Sequence, residues 1–219
     1  MSRTRIAIPK GRLQPHVLGL FAAAGYDTPS ESDLRSRRLV FDRDDVQWIF
    51  VKDVDVPVYV EHGAADAGVA GRDQIDEQNS TAYQPLDLPF GRCRIMLIGA
   101  PGTSSLTASS VRSVATKYPR IARRYLQQNG LHAEVVTLGG SVELAAVLGL
   151  TTHVIDLVET GETVRVHGLA LLDLVLEVSP RLIVGRDAYR RGTPVIRNLI
   201  ARVSEAAKEP ALSSRTEAN

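Results

Sequence analysis

Seven short apolar runs, "RIAIP", "VQWIFVK", "DAGVAG", "RIMLIGA", "AEVVTL", "HVIDLV" and "RLIVG", recur along the chain, with helix-like segments between several of them. Short bounded runs rich in β-branched side chains read as buried strands. Strands that alternate with helices predict an α/β protein with largely parallel sheets. In "RLQPHVLGLFAAAG", Leu13, Val17, Leu20 and Phe21 share one helical face and Gly25 closes it. In "YPRIARRYLQQNG", Ile121, Tyr125 and Leu126 do the same before Gly130, and Pro119 suits the first turn.

The outline repeats. "GAADAGVAGRDQIDE" and "GLTTHVIDLVETGET" each run from a glycine through an apolar strand to an acid and a glycine, then into a helix. This predicts two similar lobes with a cleft between them that gathers loops from the carboxyl ends of strands. Chain crossings near residue 92 and near 179–180 give a first, discontinuous lobe of 1–91 and 180–208 and a second lobe of 92–179. The polar stretch 209–219 is expected to be a disordered tail.

Charge and cysteine content narrow the partners. With 26 basic and 25 acidic side chains in 219 residues, the net charge of +1 provides no long-range attraction for nucleic acid or an anionic membrane. A small phosphorylated ligand fits better. Cys93 is the single cysteine, so there is no intramolecular disulfide and no cysteine cluster for zinc or iron–sulfur, and it reads as core filler. The five histidines are scattered, none at metal spacing, and no protein metal site is expected. No apolar segment approaches the ~20 residues that span a bilayer, and the first residues lack a secretion-signal pattern, so the expected location is the cytoplasm.

Four motifs carry chemistry. In "IPKGRL" a strand ends at Ile8, Pro9 blocks its continuation, and Lys10 and Arg12 flank Gly11 at a helix start, an arrangement that suits a phosphate chain, although cations at a helix start are by themselves more often simply solvated. Arg37 and Arg38 in "SRRLVF" precede another strand and can reach the same site; alone they are a solvated pair. In "VAGRDQ", Gly71 and Asp73 follow a buried strand, and Asp73 is either a ligand contact or a helix-start carboxylate favoured by the dipole. In "LGGSVEL", Gly139, Gly140 and Ser141 permit close backbone approach, while Glu143 is either a helix-start residue or a functional acid.

The most specific motif lies within 153–169, "HVIDLVETGETVRVHGL". Asp156 and Glu159 interrupt an apolar strand, and Thr160, Gly161, Glu162 and Thr163 form a hydroxyl-rich glycine turn. Carboxylates that accept from vicinal hydroxyls, followed by turn amides and threonine hydroxyls that hold an anion, match a ribose 5-phosphate. The bland alternative is an edge carboxylate and an ordinary loop.

Together, "IAIPKGRL", "DVPVYVEHGAADAGVAGRD", "VATKYPRIARRYL", "GGSVELAAVLGL" and "DLVETGETVRVHGL" resemble ATP phosphoribosyltransferase in its short form, from Arg5 to about Tyr189. The resemblance implies a two-lobed α/β fold like the type II periplasmic binding proteins. It also implies transfer of the phosphoribosyl group of phosphoribosyl pyrophosphate to N1 of ATP, releasing pyrophosphate, the first step of histidine biosynthesis. Asp156 and Glu159 would hold the ribose hydroxyls and 160–163 the 5-phosphate. Lys10, Arg12 and Arg37 would bind the triphosphate or the leaving pyrophosphate, Arg12 and Arg37 as catalytic groups. Gly11, Asp73, Lys117, Tyr118, Ser141 and Glu143 would lie near the nucleotide. Magnesium would be held by substrate oxygens and waters.

The same resemblance implies a homodimer within a hetero-octamer completed by a catalytically inactive, histidyl-tRNA-synthetase-like regulatory subunit, because the sequence leaves no room for the regulatory domain of the long form. Arg72, His167 and Gly139 depart from the usual pattern. A non-catalytic two-lobed protein that binds small anions is the alternative reading, and the lack of an export signal weighs against it.

Overall fold

The apolar runs of the sequence are strands of two separate sheets. In the computed structural model of the chain, residues 3–102, 111–191 and 194–209 are described; the expected tail lies outside them from residue 210 onward. The first part of the chain carries β1 (Thr4–Pro9), α1 (Gln14–Ala23), α2 (Glu31–Leu34), β2 (Val40–Arg43), β3 (Val46–Val51), α3 (Val56–Glu61), β4 (Ala67–Gly71), α4 (Arg72–Gln78) and β5 (Tyr83–Asp87). Then follow β6 (Cys93–Gly99), β7 (Ser113–Thr116), α5 (Pro119–Gln128), β8 (Glu134–Thr137), α6 (Glu143–Val147), β9 (His153–Val158), α7 (Glu162–Val166) and β10 (Ala170–Val178). The chain closes with β11 (Pro180–Val184), α8 (Arg186–Arg191) and α9 (Pro194–Ala206).

Two compact units result: Met1–Gly91 with Ser179–Asn219, and Arg92–Val178. The sheet of the first unit has the order β2-β3-β1-β4-β11-β5 and that of the second β10-β6-β9-β7-β8. The sheets are mixed rather than largely parallel. Of the nine strand pairings described, four are parallel and five antiparallel. The reason is topological. β2 and β3 form a hairpin, β11 re-enters the first sheet against the direction of β4, and β6 and β10 run against each other. Apolar content alone does not encode strand direction.

Both faces of each sheet are covered. In the first unit Ile6, Ile8, Trp48, Val69 and Leu182 pack with Val17, Leu20 and Phe21 of α1 and Leu199 and Val203 of α9. The opposite face packs Ala7, Ala70 and Ile183 against Val56, Val60 and Ile75 of α3 and α4. Each large side chain buried in this way contributes about 1.5–3 kcal/mol of transfer free energy. The Trp48 indole N–H also donates to the Asp27 carbonyl at 2.9 Å, so its burial leaves no donor unmet. In the second unit Ile95, Leu97 and Ile155 meet Ile121, Tyr125 and Leu126 of α5, whereas Met96, Val154 and Val158 meet Ala145 of α6 and Val164 of α7.

Helix ends follow the sequence signals. Gly25 and Gly130 have φ of +77° and +63°, the left-handed conformation that stops α1 and α5. One boundary differs from expectation: β1 runs through Pro9, which pairs with Val51, and Lys10 N–H donates to the Val51 carbonyl at 2.8 Å. A proline at the last strand position loses no ladder donor that matters there. Consequently α1 begins three residues beyond Gly11, and Lys10, Gly11 and Arg12 lie in the connecting turn.

Candidate active site

In the first unit β1, β3 and β4 are parallel, so their carboxyl ends share one edge of the sheet. Lys10 and Arg12 follow β1 there, and Arg72 and Asp73 follow β4. Arg37 arrives at the same edge because β2 runs antiparallel to β3, with Val40 opposite Ile49, so the residues before β2 lie beside the end of β3. Lys10, Arg12 and Arg37 are all exposed, and Lys10 and Arg37 have no ion-pair partner among the described residues. Gly11 has φ of +96°, where only glycine sits without strain.

Asp73 is different. It is 6% exposed, its Oδ2 accepts from Gln74 Nε2 at 2.8 Å, and its other oxygen lies against Gly71. The carboxylate stands in the first turn of α4, turned inward.

In the second unit β7, β8 and β9 are parallel, and their carboxyl ends carry the remaining candidates: Lys117 and Tyr118, then 139–143, then Glu159 to Thr163, with Asp156 near the end of β9. Thr116 pairs with Ile155, so Lys117 and Asp156 are the next residues in register, and Lys117 Nζ stands 3.4 Å from Asp156 Oδ1. Asp156 Oδ1 also accepts from the Leu157 amide at 2.8 Å. Burial pushes the Asp156 carboxyl above the usual carboxylate range. Lys117 and the Leu157 amide oppose the rise, and Glu143 adds to it.

Tyr118 is 2% exposed and belongs to the core beside Ile121 and Val114. Its ring is therefore packed inside the second unit and is not an exposed stacking surface. The "GGS" stretch lies just before α6. The left-handed residue is Ser141, with φ of +46°, while Gly139 and Gly140 have open space where a Cβ would point.

The turn after β9 has the geometry its sequence requires. Gly161 caps α7 with φ of +79°, and Thr160 Oγ1 accepts from the Glu162 amide at 3.4 Å. The amides of Gly161 and Thr163 have no partner among the described residues, and Thr160, Glu162 and Thr163 are exposed. Two unmet donors beside a left-handed glycine are an arrangement that suits an anion. Sequence reading missed the Lys117–Asp156 pair, because only the parallel register of β7 and β9 brings these two distant segments together. The one available signal was that each strand is followed or interrupted by a charge.

The fold defines the class: an α/β protein of the type II periplasmic-binding-protein kind. The periplasmic aliphatic sulphonate binding protein SsuA from Escherichia coli shows the shared fold, with a TM-score of 0.58 at 16% identity over 99% of this chain and 79% of that one. The family model of ATP phosphoribosyltransferase matches residues 52–205. The ATP phosphoribosyltransferase of Methylococcus capsulatus is 45% identical over 188 residues, 84% of this chain and 87% of its own length. The ATP phosphoribosyl transferase (HisG:HisZ) complex from Thermotoga maritima aligns with a TM-score of 0.80 and 29% identity, covering 94% of this chain and 98% of that one.

The chain belongs to the ATP phosphoribosyltransferase family. It is a pentosyl-transferring enzyme of the first step of histidine biosynthesis, joining the phosphoribosyl group of phosphoribosyl pyrophosphate to N1 of ATP and releasing pyrophosphate. Among the described residues no helix is long and apolar enough to cross a membrane.

Proposed function

We propose that the second unit binds the phosphoribosyl group and the first unit supplies the cations for the polyphosphates. Asp156 and Glu159 accept hydrogen bonds from the ribose hydroxyls, and 160–163 hold the 5-phosphate. The turn is the observation that carries this reading, since it presents the Gly161 and Thr163 amides unmet at a left-handed glycine. The lone pair of ATP N1 forms the new bond to ribose C1 while the C1–O bond to pyrophosphate breaks and its electron pair departs with the leaving group. Positive charge develops on the ribose in between, as in glycoside hydrolysis, and carboxylates at the hydroxyls suit that state.

Lys10, Arg12 and Arg37 meet the triphosphate or the departing pyrophosphate, and the Gly11, Ser141 and Glu143 surface lies on the nucleotide side. Without such cations two polyanions repel each other, and correct placement supplies much of the rate. Tyr118 contributes to the site through its backbone and its packing, and Asp73 shapes the start of α4.

Among the described residues no three histidine, cysteine, aspartate or glutamate side chains converge on a metal position. Magnesium would arrive on substrate oxygens and waters, where it would neutralise pyrophosphate charge. We also propose a cytoplasmic homodimer within a hetero-octamer, completed by a histidyl-tRNA-synthetase-like regulatory subunit. The HisG:HisZ complex of the Thermotoga relative supports the hetero-oligomer.

The test is pyrophosphate release, read as phosphate through added pyrophosphatase. The purified chain releases it with ATP and phosphoribosyl pyrophosphate together and not with either alone. No release from a folded chain overturns the reading.

A further inference from the structure

Asp156 is enclosed by groups from several elements. Strand alternation places it on the face of β9 that carries Val154 and Val158, the face packed by α6 and α7, with Met96 as its neighbour across on β6. Among the described residues two charged groups act on it: Lys117 from the end of β7, at 3.4 Å, and Glu143 from the start of α6. Its own strand adds the Leu157 amide at 2.8 Å. Lys117 is guided in turn, with Nζ 5.2 Å from the centroid of the core-fixed Tyr118 ring. The lysine side chain is 40% exposed, whereas that of Asp156 is 18% exposed.

We propose that Lys117 is a positioning residue of the transfer, holding the Asp156 carboxylate charged and aimed at the ribose hydroxyls instead of serving as a nucleotide ligand. This rests on the assignment of Asp156 to the ribose. A half-buried carboxylate beside a second acid tends to take up a proton. A protonated carboxyl turns one of its acceptor positions into a donor and gives a cationic ribose no opposing charge. Burial pushes Asp156 in that direction, and Lys117 is the largest influence against it. The fixed Leu157 hydrogen bond and the lysine on one oxygen, Oδ1, leave Oδ2 for the substrate.

The experiment follows the Asp156 carboxyl by carbon-13 NMR titration in the free chain, together with the pH profile of kcat/KM for phosphoribosyl pyrophosphate. In Lys117→Met the titration midpoint and the acid limb of the profile both move to higher pH, and kcat/KM at neutral pH falls about tenfold. Lys117→Arg keeps both near their original place, and Glu143→Gln moves both to lower pH. An unmoved midpoint in Lys117→Met overturns the proposal. So does a moved midpoint with an unmoved acid limb, or a raised KM for ATP as the only kinetic change. The midpoint is read without turnover, so this failure is distinct from a chain that releases no pyrophosphate at all.

Discussion

One carboxylate oxygen of Asp73 lies against the α-carbon of Gly71, in the space a Cβ at residue 71 would need. Gly71 ends β4 and Asp73 begins α4, so the buried acid and the bare glycine form one unit at the strand-to-helix junction. Gly71→Ala forces Asp73 out of its buried position and lowers stability by about 1–3 kcal/mol in urea unfolding. In an Asp73→Ala background the same glycine change costs about 1 kcal/mol less, because the collision is gone. Additive losses would sink this account.

At Gly161 the obstacle to a side chain is conformation, not space. A Cβ there would be 3.6 Å from Leu171 Cδ1 and 3.8 Å from Val158 Cγ1, ordinary contacts, but φ is +79°. Gly161→Ala therefore costs about 1–2 kcal/mol of stability from left-handed backbone strain. Gly161→Val costs more, because its branched Cβ is stiffer. Calorimetry with phosphoribosyl pyrophosphate shows at least about tenfold weaker binding for Gly161→Val, since the side chain crowds the amides that face the phosphate. Unchanged affinity in a folded variant removes the turn from the site.

Much of this arrangement is legible in the sequence, and what is not has a common cause. Apolar runs mark β1, β3, β4, β6, β8, β9 and β11, since strand burial is written locally in residue type. The strand Ala170–Val178 lies outside those runs: in "ALLDLVLEV" the acids Asp173 and Glu177 break the apolar pattern, and three of its nine residues are exposed. Tyr118 and Asp73 illustrate the limit for site residues. Each side chain is buried, and tertiary packing rather than the local sequence turns it inward. The Lys117–Asp156 contact depends on which strands lie side by side, and that is not encoded in either segment.

His153 makes stability depend on pH. The residue is 3% exposed, Nδ1 is 3.0 Å from Thr152 Oγ1, and Nε2 has no hydrogen-bond partner among the described residues. Burial lowers its pKa. The unfolded chain then takes up a proton near pH 6.5 that the folded chain still refuses, so stability is full above about pH 6.5 and is lost as pH falls below it toward the folded value. His153→Met removes both the titration and the unmet ring nitrogen. Thermal melts from pH 8 to pH 5 show a smaller acid loss in His153→Met than in the parent, and equal slopes would rule the histidine out as the cause.

The two acids of the proposed ribose site differ in environment, and that difference predicts unequal effects. Asp156 is largely buried and braced by Lys117 and the Leu157 amide, whereas Glu159 is exposed at the start of the turn. A charge sheltered from water acts on the developing ribose cation with less screening than one in solvent. Hydrogen bonds from the hydroxyls should strengthen as the ribose becomes cationic, so losses appear in turnover more than in affinity. Asp156→Asn lowers kcat by about 10²–10³, the range for removing one well-placed electrostatic group. Glu159→Gln lowers it by about tenfold or less, because solvent already screens that carboxylate. The double variant loses more in kcat than it gains in KM for phosphoribosyl pyrophosphate. Steady-state kinetics in which only KM rises would place both carboxylates in ground-state binding and remove them from stabilising the transition state.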